Sequence, residues 1–384
     1  MRRSSAKRTL NLIGCGIGAW VISACSSGSS PYQTTLTAAD AAASNRRPEE
    51  AARLYQRAMR EATKTDLAVE AAYREASMWK RQGHPARALT CLERLAAEHS
   101  ASSRGPRIWL DLGRLRESMG DAVGARLAYG KVLNYPDSGL ATRAADALVR
   151  ISPGPATAAY QTLLPTAKHN PTLDGFLRLR IAQAEAVHGD ELAAIASCER
   201  LAALHPLPTG VYTDDALLLA ARLRRSLGDA TGALVTLDAL VAAQEKSTFV
   251  GSYERSAFAE ARWLAADIAQ FDLHDPQRAE KLLDDLVRLD SSSRLRDDAL
   301  FRAAWLAHHE RQDDGAACSR AQQLEELEPP SPLAECLGAV CSRQGRPAQL
   351  SHRCQRVLEP TPAESAPSES APTDSAPTSL DPGG

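Results

Sequence analysis

One short phrase recurs along this 384-residue chain and restricts what it can fold into. It reads Gly, often followed by Asp, then Ala five residues after the Gly, then an apolar residue seven further on. Gly83, Ala88 and Leu95 form one copy, and Gly120, Ala125 and Val132 another. Gly189, Ala194 and Leu201 follow, then Gly228, Ala233 and Leu240. Self-similarity at a fixed period is the mark of a repeat architecture, in which each unit buries its apolar face against its neighbours. Turn signals extend the period in both directions, at Arg46-Arg47-Pro48, Pro153-Gly154-Pro155, His274-Asp275-Pro276, Gln312-Asp313-Asp314 and Gln344-Gly345. Gly or Asx at such points ends one helix and caps the next. The turns fall 33–39 residues apart, except for 46 between Gly228 and His274, with Gly154 splitting the wide interval between Gly120 and Gly189. They divide the chain into about nine helical hairpins and predict an all-α fold.

Composition agrees with close helix packing. The chain is 44% hydrophobic yet only 5% aromatic, so much of its apolar content is small, and Ala is the strongest helix former. The formal charge of −2 gives no basic footprint for nucleic acid, and none is expected as a partner.

The unit around Trp109 is the most explicit. It carries Trp109, Leu112-Gly113, Gly120-Asp121, Ala125, Tyr129, Val132 and Pro136, and the first unit offers Ala51, Tyr55 and Ala58. This pattern resembles the tetratricopeptide repeat, with the Pro one place early and Arg116 where the family has Tyr. The resemblance implies a right-handed α-solenoid of tetratricopeptide-like hairpins that binds protein or peptide partners. It also implies that the first helix of each hairpin lines a groove. Placed on that pattern, Tyr73, Lys80, Arg107, Leu110, Arg114, Leu179, Arg222 and Arg225 face the groove. A partly basic groove of this kind would suit acidic segments or a C-terminal carboxylate.

The N-terminus reads as an export signal. Arg2, Arg3, Lys7 and Arg8 precede an apolar run from Leu10 to Ala24, too short for a membrane span of about 20 residues. The run ends Ile22-Ser23-Ala24-Cys25, which resembles the bacterial lipoprotein signal. The resemblance implies lipidation at Cys25, and Ser26 in place of Asp favours the outer membrane's periplasmic face. Removing the four cations of the first 24 residues takes the formal charge from −2 to −6. The expected organisation is a signal peptide over 1–24, a lipidated Cys and flexible tether over 25–34, a solenoid over 35–357 and an acidic tail over 358–384. In the tail Ser-Ala-Pro recurs every five residues from Ser365, a composition that cannot build a core and predicts disorder.

The links Tyr135-Pro136-Asp137-Ser138 and Leu289-Asp290-Ser291-Ser292-Ser293 resemble periplasmic tetratricopeptide proteins of the Tol-Pal coordinator type and the lipoprotein of the outer-membrane β-barrel assembly machine. That resemblance implies a membrane-anchored periplasmic scaffold for envelope assembly or maintenance. A component of β-barrel assembly and a regulatory subunit of a peptidoglycan-processing enzyme are the alternatives.

Six cysteines remain beyond Cys15 and Cys25, and an exported chain can oxidise them. Cys336 and Cys354 each lie nine residues from Gly345, and Cys318 and Cys341 are equidistant from the turn near Pro329 and Pro330. Hairpin symmetry therefore predicts the pairs Cys336–Cys354 and Cys318–Cys341. Zinc held by Cys336, Cys341, His352 and Cys354 is the alternative, though the spacing is not the usual paired CxxC. Cys91 and Cys198, three hairpins apart, are expected to be buried thiols. His308-His309-Glu310 lacks the second His at helical spacing that a zinc hydrolase helix needs. No nucleophile elbow, phosphate loop or paired-carboxylate pattern stands out, so the expected chain is not an enzyme and has no cofactor or metal.

Overall fold

The computed structural model describes residues 30–135, 139–244, 256–341 and 350–361. These residues form helices joined by turns, and no strand occurs among them. The chain divides into two compact units, Met1–Cys91 and Leu92–Gly384.

In the first unit, Pro31–Ser44 pairs with Pro48–Glu61 about a turn at Arg46, and Thr65–Arg81 runs into the Gly83 turn. The helix after that turn, Pro85–His99, contains the boundary between the units. The second unit continues with five consecutive hairpins that turn at Gly120, Gly154, Gly189, Gly228 and His274. Their limbs are Gly105–Ser118 with Ala122–Val132, Ala141–Arg150 with Ala156–Leu163, Pro171–Val187 with Glu191–Leu204, Thr213–Ser226 with Ala230–Ala242, and Ser256–Asp267 with Pro276–Leu289. The Gln312 hairpin joins Arg296–Trp305 to Asp314–Glu325. Each hairpin is named below by its turn residue.

The turns work because one short stretch both ends a helix and begins the next. All eight turn residues named above have positive φ, with Gly at five and Arg46, His274 and Gln312 at the others. Gly takes this left-handed conformation without a Cβ penalty. At Gly83, Gly120, Gly189 and Gly228 the next residue donates its N–H back five residues, as Asp121 does to the Arg116 carbonyl at 2.9 Å. Asp121, Asp190, Asp229, Asp275 and Asp313 then accept from the N–H three residues on, satisfying a donor that the helix start leaves open. Before His274 and Gln312 the helix widens into a π turn, Ile268–Asp272 and Leu306–Glu310.

The residue five after each turn is Ala in all eight hairpins, and Ala51, Ala88, Ala125, Ala194, Ala233, Ala279 and Ala317 are wholly buried. A Cβ alone is what two closely approaching helices can admit there. Seven residues further on, Leu95, Val132, Leu201, Leu240, Leu286 and Leu324 fill the wider gap, each burial contributing about 1.5–3 kcal/mol.

Two features differ from the sequence expectation. The first helix begins at Pro31, inside the 25–34 tether, because Ser30 and Gln33 form a reciprocal cap on it. The ninth hairpin is irregular: its first limb, Pro332–Ala339, is a 3-10 helix, and its second is the short His352–Leu358 helix. The expected turn at Gly345, the signal peptide with Cys25, and the tail beyond Thr361 lie outside the described residues.

Candidate functional site

The first helices of the hairpins carry a repeated charge relay. In the Gly120 hairpin, Tyr129 donates its hydroxyl to Glu117 at 2.6 Å, and Arg150 of the next first helix closes on the same carboxylate. In the Gly154 hairpin, Tyr160 donates to Asp146 at 2.7 Å, and Arg180 of the next first helix bonds it at 2.7 Å. In the first unit, Tyr55 donates to Asp40 at 2.6 Å, and Arg74 reaches Asp40 at 2.5 Å. Burial and the neighbouring carboxylate push the Tyr55 and Tyr129 hydroxyls above their ordinary pKa.

At the His274 hairpin the same logic gathers more partners. Asp267 and Arg302 are both wholly buried, and Arg302 Nη1 lies 2.8 Å from Asp267 Oδ1. Arg225 Nη1 reaches the other oxygen at 2.7 Å and its Nε reaches Asp272 at 2.6 Å. Arg302 also donates to Gln270 at 2.8 Å and stacks 5.0 Å from the rings of Trp263 and Phe271. Burial lowers the Arg302 pKa despite Asp267. Burial acts the same way on Arg225, but Asp267 and Asp272 outweigh it and hold its pKa above the ordinary value.

The last described segment meets this cluster. Val357 is buried and Leu358 packs in a core that includes Trp263 and Trp305. Thr361 then donates its backbone N–H to Asp267 Oδ2 at 2.9 Å, and the Trp263 indole N–H donates to Thr361 Oγ1 at 3.2 Å.

These contacts correct the expected basic groove. Leu110 is 1% exposed and Leu179 6% exposed, so both are core residues rather than groove lining. Arg225 is 11% exposed and committed to two carboxylates. Arg107 pairs with Asp111 at 3.0 Å, Arg114 lies 3.9 Å from the same residue, and Arg222 lies 3.5 Å from Glu260. Arg107, Arg114 and Arg222 keep exposed side chains, each beside an acid of its own or the next first helix. In the first unit Lys80 is exposed and Tyr73 half-buried. Arg116, the departure from the repeat family's Tyr, donates to the Gly124 carbonyl at 3.2 Å and to Glu93 at 2.8 Å. Arg224 occupies the equivalent place, bonding the Gly232 carbonyl at 3.3 Å and also Glu199.

The cysteines fall into two disulfides, Cys318–Cys341 and Cys336–Cys354, the same pairs that hairpin symmetry gives. All three sulfurs of the zinc alternative are thereby held in disulfides, and His352 is exposed. Cys91 and Cys198 are buried thiols, and burial pushes Cys198 up to about 12. Among the described residues no helix is long and apolar enough to cross a membrane.

No family model and no curated protein matches the chain. Among solved structures it is similar to the C-terminal part of a TPR repeat-containing protein from Cytophaga hutchinsonii, at 14% identity and TM-score 0.40, over 69% of this chain and 98% of that one. A tetratricopeptide repeat protein from Parabacteroides merdae is similar at 14% identity and TM-score 0.31, over 70% of this chain and 96% of that one. The structure of Naa15/Naa10 bound to HypK is similar at 16% identity and TM-score 0.36, over 85% of this chain and 45% of that one. Scores at this level carry no assignment, and the all-α hairpin fold stands on the geometry above.

Proposed function

We propose that this chain is a lipid-anchored scaffold of a bacterial cell envelope, held at the periplasmic face of the outer membrane, that binds protein partners through its helical hairpins. The observation that carries the reading is Ile22-Ser23-Ala24-Cys25, set behind a cationic and apolar leader and just before the array. Diacylation and N-acylation at such a Cys would supply the several chains that stable anchoring needs, since one acyl chain binds only marginally. The array suits scaffolding because repeats of this kind bury themselves against their neighbours and leave their outer faces for partners.

The test is fractionation with affinity capture. The unaltered chain should sediment with outer membranes, incorporate labelled palmitate and bring down defined envelope proteins after cross-linking in cells. Cys25→Ala should abolish labelling and release the chain from membranes. A wild-type chain that takes up no palmitate would sink the anchoring half, and one that captures no protein would sink the scaffold half.

A further inference from the structure

The contact of Thr361 with the His274 hairpin joins residues 94 and 98 positions apart in sequence. Its chemistry is that of peptide recognition. A buried carboxylate, Asp267, accepts a main-chain N–H, and an indole N–H from Trp263, four residues earlier on the same helix, donates to the side-chain hydroxyl. The first contact excludes proline at that position, and the second favours an acceptor side chain such as Ser, Thr, Asn or Gln. Asp267 can accept the extra donor because Arg225 and Arg302 already balance its charge. Arg302 Nη2, wholly buried, has no hydrogen-bond partner among the described residues, so the cluster keeps unused donor capacity.

The segment is also preorganised. Pro360 has a fixed φ, and a residue that precedes proline, as Thr361 precedes Pro362, is driven to extended conformations. The Cys336–Cys354 disulfide and buried Val357 fix the helix that delivers it. The pattern Pro-Thr recurs twice in the tail, at Pro372-Thr373 and Pro377-Thr378.

We propose that Trp263 and Asp267 form a binding site for an extended Pro-Thr peptide, and that Pro360-Thr361 is its built-in occupant. A segment of the same chemistry, from the tail or from a partner chain, enters only by displacing it. Because the occupant is tethered, its effective concentration is high and an outside peptide binds the intact chain weakly. This holds whether or not the chain is lipid-anchored.

The experiment uses the purified full chain and a fluorescein-labelled peptide of residues 358–364, Leu-Glu-Pro-Thr-Pro-Ala-Glu. Thr361→Val in the chain removes the hydroxyl from an exposed residue and loosens the occupant without touching the core. This variant should bind the peptide about fivefold or more tightly than the wild type, the worth of one lost hydrogen bond in the competitor. The same peptide with Val at the Thr position should bind the variant about fivefold more weakly. Adding Trp263→Phe should abolish that discrimination, and a peptide of residues 370–380 should compete. Equal affinity of wild type and Thr361→Val for the peptide, absence of binding to the variant, or equal affinity of the variant for the Thr and Val peptides would each overturn the proposal. Circular dichroism melts of every variant establish that the fold is retained.

Discussion

Tyr129 of one helix donates its phenolic hydrogen to Glu117 of its hairpin partner at 2.6 Å, and Arg150 of the next hairpin binds the same carboxylate. The relay therefore ties a hairpin both to itself and to its successor. Hydrophobic burial holds such arrays together without fixing their register along the helix axis. A buried hydroxyl and a carboxylate that must meet a guanidinium from the next unit add that direction.

The relay makes stability pH-dependent in a definite sense. Burial alone would raise the Glu117 pKa, but the bonds from Arg150 and Tyr129 outweigh it and hold the group below the ordinary value of 4.5. A carboxyl depressed in the folded state stabilises above its unfolded pKa, and the contribution is lost as pH falls through the folded one. Glu117→Gln should cost about 1–2 kcal/mol at pH 7 and less at pH 3, read by urea denaturation at both. An equal loss at both would show that charge plays no part.

Gly113 has a steric reason rather than a conformational one. A Cβ there would meet Tyr129 Cε1 at 2.5 Å and Cδ1 at 2.6 Å. Gly113→Ala gains up to about 1 kcal/mol of helix propensity, yet overpacking a close contact costs about 1–3 kcal/mol. A net loss of about 1–2 kcal/mol is expected, and adding Tyr129→Ala should remove the penalty specific to Gly113. Additive effects of the two changes in a double-mutant cycle would contradict the contact.

Asp298 moves the other way from Glu117. Burial, and then repulsion from Asp297, raise its pKa from 3.8 to about 6. A carboxyl raised in the folded state favours folding while protonated and loses that advantage as pH rises through the folded value. Asp298→Asn should therefore add about 1–2 kcal/mol at pH 8, after discounting for partial exposure, and little at pH 4. Melting temperatures across this range give the answer, and a gain that does not grow with pH would refute the assignment.

Arg302 tests what the buried ion pair contributes. Arg302→Ala leaves Asp267 short of a partner and opens a cavity against Trp263 and Phe271, and should cost about 3–5 kcal/mol. Arg302→Met keeps the bulk but not the charge and should lose about half as much. If both cost the same, packing against the two rings contributes nothing.

Much of the fold can be read in the residues. The Gly83, Gly120, Gly189 and Gly228 turns carry their own signature, because left-handed backbone and a following cap leave only Gly and Asx in favour. The same phrase runs on through Ala279 and Leu286, and through Ala317 and Leu324, where it is hidden by His274 and Gln312 in place of Gly. The early start at Pro31 is legible too, as the Ser30 to Gln33 capping box. The relay is not, because Glu117 and Arg150 lie 33 residues apart and charged residues abound on helices. Arg225 reads as part of a free basic face for the same reason, since Asp267 and Asp272 lie 42 and 47 residues away. Contact between Thr361 and Asp267 has no local pattern at all, since only the packing of several hairpins brings them together.

Asp267 also imposes an order of events. Its partners Arg225, Arg302 and Thr361 are made at very different times, one before it and two after. During synthesis the carboxylate has Arg225 first, gains Arg302 when the next hairpin forms, and receives Thr361 last of the three. A chain stopped before Thr361 leaves that carboxylate one donor poorer.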